Sequence, residues 1–224
     1  MGKMIYLSTV SKLDGIKSWS LVARDTCPGS TQYDPKTQTN TLVPACAGCY
    51  AAGGYYRFPN VKAPREANRE DWTRDGWVDD MVAALETERY FRWFDSGDMY
   101  DLRLARKIFE VMRRTPWCQH WLPTRMAKFE KFGPVILMMR RLRNVSVRFS
   151  SDSIDGTFSP EHGSTIYNPE NPAPAGTTPC LAYKNEGDKQ GKCSGCRACW
   201  DKSVAVIAYP AHGRVMLAQI KNAA

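Results

Sequence analysis

Short apolar runs alternate with longer amphipathic stretches along this chain. Residues 16–22 (I-K-S-W-S-L-V) alternate in polarity and read as a first strand. Residues 61–71 are charged and open a helix. Val78, Met81, Val82 and Leu85 then recur at i, i+3, i+4 and i+7, the period of a helix face. The aromatic run 90–94 is strand-like and stops at Asp95-Ser96-Gly97-Asp98. Leu102, Ala105, Ile108, Phe109 and Met112 mark a second amphipathic helix, which Pro116 ends. Residues 120–122 form a short strand ending at Pro123-Thr124-Arg125. Residues 135–142 form a third helix, with Pro134 near its first turn. Residues 145–149 alternate as a strand and end at Ser150-Ser151-Asp152. Residues 157–178, rich in Pro, Gly and Asn, read as irregular loop. A last strand is expected at 204–209 and a last short helix at 215–220.

Strands alternating with helices predict an α/β fold with a parallel sheet and right-handed crossovers. Four or five strands are too few for a closed eight-unit barrel, so the expected fold is an open, partial (β/α) barrel. Sites in parallel α/β folds lie at the carboxyl ends of the strands. Polar groups follow the strand ends here, at Cys27, at 95–98, at Thr124-Arg125 and at 150–152. Residues 1–179 are expected to form the barrel. Residues 180–224 add a loop-rich segment that completes the same domain.

The 224 residues, 43% hydrophobic and 24% charged, have the balance of an ordinary globular protein. No window approaches the roughly 20 apolar residues of a membrane span. Residues 1–10 lack the layout of a secretion signal, so a cytoplasmic setting is expected. In a reducing compartment eight cysteines do not suggest a disulfide framework. Seven of them fall into two groups: Cys27, Cys46 and Cys49, then Cys180, Cys193, Cys196 and Cys199. Such spacing reads as metal or cluster ligation. Three thiolates can hold a 4Fe–4S cluster with one open iron, although zinc also uses C-x-x-C pairs. The C-x-x-C-x-x-C run of the second group is more ferredoxin-like than zinc-like, pointing to a second 4Fe–4S cluster with structural zinc as the alternative. Residues 28–44 form a long loop between the first two cysteines.

Other candidates stand alone. Cys118 reads as a buried thiol, or as a hydrogen-atom donor or extra ligand at the site. Among His120, His162 and His212, the last follows a predicted strand end and is the best functional candidate. Tyr50 is either a core tyrosine or a wall against a cofactor. The net charge of +8 suits a polyanionic partner. Arg57, Lys62, Arg65 and Arg69, interleaved with Tyr55, Tyr56 and Phe58, pair phosphate-binding cations with rings that can stack on bases.

The blocks C-P-G-S, C-A-G-C-Y-A, Y-R-F-P-N-V, S-G-D-M-Y-D, C-R-A-C-W-D and A-Y-P-A-H-G span nearly the whole chain. Together they resemble a family of phage and prophage proteins called after a numbered phage gene product, which looks related to radical S-adenosylmethionine (SAM) enzymes. The resemblance implies that Cys27, Cys46 and Cys49 hold the SAM-binding cluster. It also implies that Ser96, Gly97 and Asp98 stand for the Gly-Gly-Glu-like segment that holds the methionine amino group. Tyr50, Thr124, Arg125, Ser150 and Asp152 would supply further cofactor contacts. The sequence departs from the usual C-x3-C-x2-C spacing, because eighteen residues, 28–45, separate Cys27 from Cys46. The implied activity is reductive cleavage of SAM to a 5′-deoxyadenosyl radical, with an electron donor such as a flavodoxin. An isomerase-type reaction on a hypermodified thymine in DNA, or on a modified nucleotide, fits a phage protein in its host's cytoplasm. The competing expectation is a zinc- or iron–sulfur-stabilised nucleic-acid-binding or redox protein without SAM chemistry.

Overall fold

The computed structural model describes residues 5–159, 161, 163–183 and 191–223; His162 lies outside them. Among these residues eight strands form one sheet, and two more form a separate ribbon. In chain order, β1 (Ser8–Val10) and β2 (Ile16–Trp19) are an antiparallel pair. The ribbon follows, as β3 (Thr31–Asp34) and β4 (Thr39–Leu42). Next come α1 (Pro44–Ala47), α2 (Pro59–Asp71), α3 (Trp77–Ala84) and β5 (Tyr90–Trp93). Helix α4 (Leu102–Arg114), β6 (Gln119–Thr124), α5 (Gly133–Arg141) and β7 (Val145–Ser150) continue the alternation. The chain then adds β8 (Gly163–Tyr167), β9 (Thr178–Pro179), β10 (Val206–Pro210) and α6 (Arg214–Ala223).

The sheet order is β1-β2-β5-β6-β7-β8-β10-β9, and every pairing beyond β1–β2 is parallel. The expected α/β alternation with a parallel sheet is therefore present. From β2 to β8 each strand lies beside the next one that joins the sheet, with no reversal of order. Helices α3, α4 and α5 pack successively on one another, which puts them on one face. That face is apolar. Phe91, Trp93, Leu122, Val145 and Val147 from the strands meet Met81, Leu104, Ile108, Val135 and Met139 from the helices. Helix α4 is the clearest case, with Leu104, Ala105, Ile108, Val111 and Met112 buried at helical spacing. The Asp101 carboxylate caps its start, accepting from the Arg103 N–H at 2.7 Å.

Four parts of the sequence reading change. The sheet has eight strands where four or five were expected, because short strands at its two edges and β8 carry too little pattern of their own. Residues 163–167 are a central strand, not irregular loop. Their Thr, Ile and Tyr are good strand formers, but the flanking prolines and glycines mask a segment that exists only because β7 and β10 pair with it. The 28–44 stretch contains the β3–β4 ribbon, whose Thr31↔Leu42 to Asp34↔Thr39 pairs fold the excursion back on itself. Lastly, β1 adds an antiparallel edge that the pattern did not suggest.

Candidate metal and cofactor site

Because side chains alternate along a strand, the face opposite the helices carries a different set. Arg92, Trp121, Arg148, Ser164 and Tyr209, from five neighbouring strands, line one cavity of about 550 Å³. Both cysteine groups line it too: Cys27, Cys46 and Cys49, and Cys180, Cys193 and Cys199. This volume lies within the range of ligand pockets, roughly 300–1,000 Å³.

The first group is assembled by a closed excursion. Cys27 precedes a single turn at Pro28–Ser30, and Cys46 sits in α1. The Val43 N–H donates to the Ser30 carbonyl at 2.9 Å, joining the two feet of the ribbon. The eighteen-residue gap is thus largely a ribbon inserted beside the site. Among the described residues, 31–42 do not line the cavity. Gly29 lies against Arg125; a Cβ there would come within 2.6 Å of the Arg125 Cβ and 3.0 Å of its carbonyl oxygen. Lys128 Nζ donates to the Gly29 carbonyl at 2.9 Å. Arg125 reaches the Asp152 carboxylate at 3.2 Å and the Ser151 carbonyl at 2.7 Å, and Lys128 also pairs with Asp152. The Ala45 N–H donates to the Asp152 carbonyl at 2.9 Å. The polar ends of β6 and β7 therefore hold the Cys27 turn and α1 in place.

Burial pushes the Cys27 thiol up to about 12, and the neighbouring Cys46 and Cys49 thiols add to the shift. Cys46 is also raised by burial, against the opposing pull of Arg125 and Lys128. These mutual effects place the three thiols within electrostatic reach of one another.

The Ser96-Gly97-Asp98 turn after β5 is tightly built. Gly97 has φ +81°, and a Cβ would lie 2.6 Å from the Leu21 Cβ and 2.7 Å from Thr26 Oγ1. Only glycine suits both demands. Ser96 Oγ donates to the Leu21 carbonyl at 2.6 Å. Asp98 is buried, and its carboxylate accepts from the Met99 N–H (2.8 Å), Thr124 Oγ1 (2.8 Å) and the Arg125 N–H (2.9 Å). Thr124 and Arg125 are thus joined to the Ser-Gly-Asp turn. Desolvation raises the Asp98 carboxyl although these donors oppose it. Three of its acceptor positions are committed inside the protein, which leaves less of the carboxylate for an ammonium group than the sequence implies.

The second group is held differently. Arg148 on β7 is buried, and its guanidinium donates to the carbonyls of Ala198, Cys199, Asp201 and Val204 at 2.7–2.9 Å. Asp14 accepts from the Ser194 and Gly195 N–H groups and from Arg197 Nη1, at 3.1, 2.9 and 2.8 Å. The Cys193 N–H donates to the Lys12 carbonyl at 2.8 Å, and Cys199 Sγ lies 3.3 Å from the Tyr209 hydroxyl. Burial lifts Cys193 to about 12 and Cys180 to about 11, with Cys196 and Cys199 among the causes of both shifts. Trp200 packs on Trp121 and Tyr90 and donates to the Phe91 carbonyl at 2.9 Å. Among the described residues no three His, Cys, Asp or Glu side chains converge as a single-ion site.

Tyr50 stands at the cavity wall, half exposed. Its hydroxyl donates to the Asp95 carbonyl at 2.7 Å, and its ring lies 6.5 Å from that of His212 at 30°. Ser150 and His212 line the same cavity. Cys118 does not: it is wholly buried in the apolar core, where burial raises it to about 12. The histidine at 120 is also a core residue. Tyr55, Arg57, Phe58 and Lys62 remain at the surface, Tyr55 and Phe58 as an edge-to-face pair 5.4 Å apart. Tyr56 turns inward to Asp95 at 3.1 Å. Arg65 is buried and does not offer its guanidinium to a surface phosphate. It grips Asp95 with Nη2 (2.9 and 3.1 Å), Ser96 Oγ with Nε (2.8 Å) and the Val61 carbonyl with Nη1 (2.7 Å). Sequence reasoning missed Arg92, Arg148, Asp14 and Tyr209. The only sequence signal for the two arginines is a cation placed mid-strand among apolar neighbours.

A parallel α/β protein with two cysteine groups facing one cavity is the class these features define. The chain matches the Gene product 88 family over residues 6–202 and belongs to it. No curated protein and no solved structure matches the chain.

Proposed function

We propose that the protein is a radical SAM-type enzyme built on a partial (β/α) barrel. The observation that carries this reading is the gathering of Cys27, Cys46 and Cys49 with the Ser96-Gly97-Asp98 turn around one cavity beside the ends of consecutive parallel strands. The donor set fits a 4Fe–4S cluster: three thiols are within mutual electrostatic reach, and Arg125 and Lys128 stand near enough to offset thiolate charge. Cys180, Cys193, Cys196 and Cys199 would hold a second, closed cluster. When bound, the first cluster and SAM would supply the radical chemistry, which belongs to the cofactor. The chain's own contribution is positional. Gly97 lets the β5 turn approach closely, Asp98 ties that turn to β6, and Arg125 and Lys128 hold the cysteine turn against the end of β7. Tyr50, Tyr56 and His212 wall the cavity.

For substrate, the net charge of +8 and the exposed Tyr55, Arg57, Phe58 and Lys62 favour a phosphate-bearing partner with a base to stack, such as a modified nucleotide in DNA. The test is anaerobic incubation of the reduced, iron-loaded protein with SAM. Formation of 5′-deoxyadenosine, lost in Cys49→Ala, is expected. A second reading is an iron–sulfur redox protein that never takes SAM, favoured by the three internal donors on Asp98. Calorimetry with SAM separates the two, and no detectable binding would select the second.

A further inference from the structure

Two arginines project into the cavity from strands β5 and β7, and they differ in one respect. Arg148 has its Nε, Nη1 and Nη2 hydrogen-bonded to backbone carbonyls of the C-terminal cysteine loop. Arg92 makes no such set. Its Nε is buried without a partner. The guanidinium lies 4.6 Å over the Trp121 ring, an apolar bed that fixes its plane but accepts none of its protons in the ordinary sense. The Tyr50 hydroxyl, which gives its own proton to the Asp95 carbonyl, can accept from one guanidinium N–H, but the buried Nε still has no partner. Asp95, the nearby carboxylate, is already held by Arg65 through both oxygens and by Tyr56. A guanidinium carries five donors in a fixed fork that matches an oxyanion, and a buried donor without a partner calls for an explanation.

We infer that Arg92 is an oxyanion seat in the cavity, binding the carboxylate or phosphate of the substrate rather than serving the fold. The inference rests on the proposed function only in taking this cavity as the place where substrate is held. Trp121 orients the guanidinium from one side and Tyr50 takes one of its donors; the rest of the fork is assigned to a ligand. Charge compensation of the thiolates alone is the competing role. Arg92 and Arg148 both act on the Cys199 thiol in that sense, but such a role needs the positive charge and not the fork.

The test is calorimetric titration of the anaerobically iron-loaded protein with inorganic phosphate, with acetate and, separately, with SAM. Wild type is compared with Arg92→Gln and Arg92→Lys. We expect phosphate or acetate to bind wild type, to lose about tenfold or more in affinity in Arg92→Gln, and to regain part of it in Arg92→Lys. The stronger of the two probes indicates whether the substrate group is a phosphate or a carboxylate. SAM affinity should stay within about twofold in both variants, since the seat is assigned to the substrate. Neither anion binding to wild type, or unchanged binding in Arg92→Gln, overturns the inference. So does a loss confined to SAM, which would make Arg92 a SAM contact. If Arg92→Gln does not fold, Arg92→Lys decides: anion affinity equal to wild type means that the fork is not used. Anion binding that depends on Arg92 in a protein that never binds SAM would end the radical SAM reading and leave the seat standing.

Discussion

The two cysteine groups face the same cavity, but the protein holds them in different ways. The first group, with three cysteines, is held from outside. Lys128 holds the Gly29 carbonyl, the Asp152 carbonyl holds the Ala45 N–H, Arg125 braces Asp152 and packs on Gly29, and the ribbon between Cys27 and Cys46 stays out of the cavity. The second group, with four cysteines, is held from within. Arg148 enters from the sheet and gathers the loop's own carbonyls, while Asp14 caps its N–H groups. A buried guanidinium at the centre of a loop leaves little freedom there. Salt bridges that are partly exposed leave more. The difference suits a closed, structural or electron-relaying site in the second group and an open, reactive one in the first.

The largest expected effect comes from breaking the inner clamp. Arg148→Ala leaves at least four carbonyls without their donor and should cost about 3–5 kcal/mol, because several acceptors lose a charged donor at once. Thermal unfolding would measure it. Iron content should fall to about half as the second group fails and the first survives. Equal loss from both groups would show that the groups are not held independently.

His120, buried in the core away from the cavity, tests the sheet that carries both groups. Trp93 Nε1 donates to its Nδ1 at 3.2 Å, so Nε2 carries the proton toward Thr115 Oγ1 at 2.8 Å. Burial lowers this histidine to about 3 from an ordinary 6.5. Below pH 6.5 the unfolded chain takes the proton and the folded one does not. Stability is therefore lost as pH falls from 6.5 toward 3, by up to about 1.4 kcal/mol per unit. Urea unfolding at pH 7 and pH 5 should show this slope in wild type and a shallower one in His120→Gln.

Smaller effects are expected at the outer supports. Gly29→Ala forces a contact with Arg125 and should cost about 1–3 kcal/mol, as overpacking does. Iron should be lost from the first group only, leaving about half. Replacing residues 31–42 by a short turn should change stability by less than about 1 kcal/mol, because shortening a loop alters closure entropy only slowly. Iron content should be unchanged. Loss of iron there would make the ribbon a working part of the site.

Much of this was legible from residue types and spacing. The strand–helix alternation, the two cysteine groups and the polar strand ends all follow local rules, and all recur in the fold. Ser96-Gly97-Asp98 is placed by β5 as the pattern suggests. What was not legible depends on partners distant in the chain. Strand β8 needs β7 and β10 beside it, and Arg65 reads as a surface cation until Asp95 arrives from thirty residues away. Arg148 and Arg92 look like ordinary strand residues until the sheet turns both toward one cavity. Cys118 reads first as a buried thiol, and it is one.

The central proposal is that the chain would hold two separate iron–sulfur clusters, the first open to SAM. Iron and sulfide content of anaerobically reconstituted wild type beside Cys49→Ala and Cys196→Ala tests it most directly. The account predicts about eight irons in wild type and about half of that in each variant. A colourless protein carrying stoichiometric zinc, or loss of all iron from either variant, would contradict it.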